Sequence, residues 1–132
     1  MTRLCMLVLA LASCADDTQR PTFASARIVV RPPHSYFPDQ PPAPQRDLRA
    51  AVDQAIAGDD AKLAYVISLS KFADGEGALQ FGFLLLDIEK AVGTSRFRRV
   101  LSWASEPDRD RALGYMRAAT RMEEHLKNTP ET

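Results

Sequence analysis

The chain is poor in the residue types that carry most enzyme chemistry. Its two cysteines, Cys5 and Cys14, both lie at the N-terminal end, so nothing after Cys14 can form a disulfide framework or supply a thiol nucleophile. Its two histidines, His34 and His125, stand far apart, and no His-based metal site or Ser-His-Asp triad can be assembled from sequence neighbours. Excess charge of one sign is also missing. Seventeen Lys and Arg balance seventeen Asp and Glu, which argues against the basic field of a nucleic-acid-binding domain. The apolar run from Leu4 to Ala12 is far shorter than the roughly 20 residues that span a hydrocarbon core. No internal repeat is visible, which argues against a solenoid.

Arg3 precedes that apolar run, and Leu11-Ala12-Ser13-Cys14 follows it. A positive n-region, a short h-region and a small-residue cleavage site are the parts of a secretory signal. The order resembles a bacterial lipoprotein signal peptide, with Leu11, Ala12, Ser13 and Cys14 filling the four places of a lipobox. The resemblance implies that residues 1–13 are removed, that a diacylglycerol is joined to the Cys14 thiol, and that the new amino group is acylated, as with palmitate. Each buried methylene contributes about 0.8 kcal/mol, so one chain binds a membrane marginally and two or three hold a protein stably. An ordinary secretory signal that happens to contain a cysteine is the plainer alternative. Ala15 lacks the acid that this family uses for inner-membrane retention, although Asp16 and Asp17 follow. The expected address is the outer membrane, facing the periplasm, ahead of the inner membrane.

Seven of the nine prolines fall between Ala15 and Gln45. Proline removes a backbone donor and pushes its predecessor towards extended geometry, so residues 14–45 read as a lipid-anchored tether, stiff and polyproline-like from Pro38 to Pro44. Fully extended it would reach roughly 100 Å. The exception is Ile28-Val29-Val30, which is strand-like and unlike a passive linker. It either docks on the domain, pairs with a partner's sheet edge, or is an apolar spot in the tether; the last is favoured.

From Arg46 to Lys127 the periodicity predicts an all-α bundle of about five short helices, with residues 128–132 as a frayed tail. Leu48, Ala51, Val52, Ala55 and Ile56 form one face ending at Gly58. Asp59 or Asp60 caps a second helix, with Leu63, Val66, Ile67 and Ser70 inward, running to about Ala73. The segment Ala78 to Ile88 alternates like a strand at Leu79, Phe81, Phe83 and Leu85. It also follows a helix face at Phe81, Leu84, Leu85, Ile88 and Val92, and length decides for a central helix. Gly82 would let a neighbour approach closely. Thr94 or Ser95 caps a fourth helix with Phe97, Val100, Leu101 and Ala104 inward. Ser105-Glu106-Pro107-Asp108 starts a fifth, whose inner residues are Ala112, Tyr115, Met116, Ala119, Met122 and Leu126. The segment from Asp74 to Trp103 loosely resembles small exported helical proteins of unknown role, which implies a helical fold and no activity.

Few motifs carry chemistry. Ser68-Leu69-Ser70-Lys71 matches the Ser-x-x-Lys of penicillin-recognising enzymes, but the companion motifs are missing and the chain is far too small. Asp74-Gly75-Glu76-Gly77 hints at a calcium loop, yet Leu85 stands where the bidentate acid belongs, so a turn is expected. Asp87 with Glu89, and Glu123 with Glu124, have the spacing of solvent-facing helix positions. Arg96, Arg98, Arg99, Arg109, Arg111, Arg117 and Arg121 crowd the last two helices, and their forks suit phosphate or carboxylate. Interleaved acids make a mixed, solvated face the default. Trp103 lies beside the inward stripe, either at the core edge, which is favoured, or as an interface anchor; Phe72 and Phe83 pose the same question. The candidate partner-binding residues are therefore Arg96, Arg99 and Trp103.

The expectation is a non-enzymatic, lipid-anchored helical module, with no cofactor and no metal, that binds an envelope protein as an immunity or inhibitor lipoprotein or as an assembly accessory. A structural lipoprotein spacing membrane from wall is the alternative, and a cell-wall enzyme or its activator comes third.

Overall fold

The computed structural model describes residues 28–37 and 47–131. The expected signal peptide, the lipobox and Cys14 lie outside the described residues. Among those described, five α-helices form an all-α bundle: α1 Leu48–Ala57, α2 Asp60–Ser68, α3 Glu76–Val92, α4 Thr94–Leu101 and α5 Glu106–Asn128. Two 3-10 turns, Pro33–Ser35 and Leu69–Phe72, complete the path. No described helix is long and apolar enough to cross a membrane.

Local chemistry sets the helix ends. The Asp59 side chain accepts from the Lys62 N–H at 3.1 Å and caps α2. Ser105 accepts from the Asp108 N–H at 3.4 Å to open α5, with Pro107 in the first turn. The cap expected from Thr94 or Ser95 is not used. Gly93, at φ 93°, closes α3 and is also the N-cap of α4. That positive φ is one that glycine adopts at little cost.

The apolar stripes meet largely as their spacing predicts. Val52, Ala55, Leu63, Val66, Phe81, Leu85, Ile88, Phe97 and Ala112 are fully buried. Helix α3 is central, packing on α1, α4, α5 and the first 3-10 turn. Gly82 sits where a β-carbon would overlap the Tyr115 carbonyl, so α3 and α5 touch through backbone there. Tyr115 also ties α5 to the end of the second 3-10 turn, its hydroxyl donating to the Ala73 carbonyl at 3.0 Å. Two residues expected inward on α5 are not: Met122 is 39% and Leu126 65% exposed. The helix runs on to Asn128, and its last turns overshoot the described core.

The segment 28–37, expected within the tether, packs on the domain. Ile28 is buried, Val29 exposed and Val30 half-buried against the core, the alternation of an extended strand. The Arg49 guanidinium of α1 donates to the Ile28 carbonyl at 3.0 Å. Pro33 then starts the 3-10 turn, in which the Tyr36 and Phe37 N–H groups both donate to the Pro33 carbonyl. That turn drives Tyr36 and Phe37 into the core against Phe81, with ring centroids 5.5 to 5.9 Å apart. Tilted and edge-on pairs at this range each add about 0.5–1.5 kcal/mol beyond their burial.

Candidate functional site

The residues singled out on α4 share one seam with α2. Asp60, the first residue of α2, stands free of capping because Asp59 does that work, and its carboxylate reaches across to α4. Arg96 Nε donates to Asp60 Oδ1 at 2.6 Å and Arg99 donates to Asp60 Oδ2 at 3.0 Å. Arg96 is mostly covered, whereas Arg99 is largely exposed. Hydrogen bonding from Arg96 chiefly holds the Asp60 carboxyl below the usual carboxylate range; burial opposes it, and the Arg99 hydrogen bond adds a lesser lowering. The two arginines are thus a clamp between helices before they are a surface for anything else.

Trp103 completes the seam. It follows Arg96 and Arg99 at helical spacing, in the turn that leaves α4, where its N–H donates to the Val100 carbonyl at 3.0 Å. Its side chain is 57% exposed, beyond what a core-edge position requires. Beside it lies a pocket of about 170 Å³ lined by Ala64, Ile67, Ser68, Val100, Ala104 and Asp108. A half-wet indole beside a small, mainly apolar recess is suited to receive a side chain from a partner.

The other candidates resolve into local structure. Ser68 and Ser70 donate to the carbonyls of Tyr65 and Ile67, and Lys71 Nζ lies 5.2 Å from the Phe72 ring centre. The Ser68 hydroxyl is therefore bonded to the backbone at the end of α2, and Lys71 lies against Phe72. Asp74 accepts from the Gly75 N–H at 2.7 Å and Gly75 has φ 54°, so Asp74-Gly75 makes the expected turn and Glu76-Gly77 opens α3. Among the described residues no group of three or more His, Cys, Asp and Glu could hold a metal ion. An open polar cleft of about 460 Å³ lies between Arg31, His34 and Ser35 on one side and Asp74, Glu76 and Gln80 on the other.

The arginine-rich region divides. Arg98 pairs with Glu89 at 3.3 Å and Arg111 with Asp108 at 3.4 Å, whereas Arg109, Arg117 and Arg121 make no ion pair with another described residue. The sequence reading missed Asp60 as the partner of the α4 arginines. The signal was the Asp59-Asp60 doublet, in which one acid is surplus to the cap.

The chain matches no protein-family model, no curated protein and no solved structure.

Proposed function

We propose that this chain is a lipid-anchored, periplasm-facing helical module that binds a protein of the bacterial envelope. The observation that carries the binding is Trp103, an exposed indole beside a small recess on a seam that Asp60, Arg96 and Arg99 bridge. Aromatic anchors next to pockets contribute a disproportionate share of interface energy. The anchor rests on Leu11-Ala12-Ser13-Cys14, and the reach on the prolines from Pro38 to Pro44. Both features suit a domain held at a membrane and offered to a neighbour.

Metabolic labelling with radioactive palmitate, followed by membrane fractionation, tests the anchor. The full chain should take up label and sediment with outer membranes, and Cys14→Ser should do neither. Unlabelled wild-type chain recovered in the soluble fraction would end this reading.

A further inference from the structure

A second surface lies on the opposite side of α4 from the Asp60 clamp. Arg98, two residues beyond Arg96 and about 200° further around a helix that turns about 100° per residue, faces a groove of about 500 Å³ between α3 and α5. The floor is apolar, made by Leu86, Leu113 and the buried Met116. The rim is cationic. Glu89 neutralises Arg98, which leaves Arg117 and Arg121 facing the groove with no ion pair to another described residue. These two stand four residues apart on α5, where like charges are neighbours on one helix face and unfavourable in isolation. An anionic partner would relieve that repulsion, and a methionine floor adapts to apolar side chains of varied shape.

We propose that this groove takes an acidic, amphipathic segment of a protein partner, with apolar side chains on Met116 and Leu113 and carboxylates on Arg117 and Arg121. Charge complementarity selects the occupant: two uncompensated guanidiniums flank an apolar strip, and their forks bind carboxylates bidentately. The inference rests on the protein-binding reading and adds a surface and a chemistry to it.

The test places a photocrosslinking p-benzoylphenylalanine at Thr120, an exposed groove position, or at Ser102, an exposed position next to Trp103, in the full-length chain within its own envelope. Mass spectrometry then identifies the crosslinked segment. The proposal expects the Thr120 adduct to be an acidic protein segment with apolar residues at three-and-four spacing. A synthetic peptide of that segment should bind the full chain at least tenfold more weakly after R117E/R121E, and with an affinity between that variant and wild type after R117K/R121K, which keeps the charge and loses the fork. A lipid adduct, a second copy of this chain, a neutral or basic segment, or no adduct at Thr120 overturns it. A protein adduct at Ser102 alone ends the groove proposal and leaves the binding reading intact; none at either position ends both.

Discussion

Gly77 and Tyr36 meet backbone to backbone, and a β-carbon at position 77 would overlap the Tyr36 carbonyl. The contact seats the 28–37 segment on the first turn of α3, so the missing side chain at 77 is what lets Tyr36 and Phe37 reach Phe81. Gly77→Ala should therefore destabilise by about 1–3 kcal/mol, the usual range for overpacking, although alanine favours a helix by about 1 kcal/mol. Gly114→Ala is the control. A β-carbon there meets nothing within 4 Å, so that variant should gain roughly 0.5–1 kcal/mol. Urea unfolding of both variants checks the contrast in sign.

The same segment marks where sequence reasoning ran out. The helices of residues 48–128 were legible because apolar residues at three-and-four spacing bury one face whatever packs on it. Ser105 and Pro107 announced α5 by local chemistry alone. Residues 28–37 were not legible: Pro32 and Pro33 read as spacer, yet a proline at the first position of a 3-10 turn is preorganised for it, and the adjacent Tyr36-Phe37 pair was the overlooked sign of a buried turn. Met122 and Leu126 fail in the opposite way. Their periodicity continues the stripe of α5, but a stripe is buried only as far as neighbouring elements reach. At the candidate site Arg96, Arg99 and Trp103 were visible as residue types, while the role of Asp60 depends on how α2 lies against α4, which no local pattern encodes.

Tyr36 makes stability fall at alkaline pH. Burial raises its hydroxyl above the ordinary 10.0, outweighing the Arg31 N–H that donates to it at 2.9 Å. An acid whose folded value is raised contributes fully below its unfolded value, and the contribution is lost as pH rises from there through the folded value. Stability should therefore decline above about pH 10. Tyr36→Phe should cost about 1 kcal/mol at pH 7, through the lost hydrogen bond, and flatten the alkaline limb. Denaturant titrations between pH 8 and 11 on both proteins measure this.

Asp60 acts at the other end of the scale. Its carboxyl is held below the ordinary 3.8, chiefly by Arg96, so its contribution is complete above that value and disappears as pH falls through the folded one. Thermal unfolding between pH 2 and 6 should show a steeper acid limb for the wild type than for Asp60→Asn. At pH 7 the variant should melt lower, since Arg96 would be left mostly covered beside a neutral amide. Salt should narrow the difference, because the pair is partly open to solvent.

Trp103 should matter little to the fold and greatly to binding. Its exposure places Trp103→Ala at about 1 kcal/mol or less in stability, against about 3–5 kcal/mol for Phe81→Ala in the core. Paired chemical denaturation curves separate the two.

The central claim, a tethered module that presents Trp103 to an envelope protein, is tested most directly by affinity capture. The full-length chain, extracted from membranes in mild detergent, would be isolated as wild type and as Trp103→Ala, with co-purifying proteins quantified by mass spectrometry. The account predicts one protein partner in near-stoichiometric amount with the wild type, reduced at least tenfold with Trp103→Ala while the variant's thermal unfolding stays close to normal. Recovery of no stoichiometric partner, or equal recovery by both proteins, would contradict it.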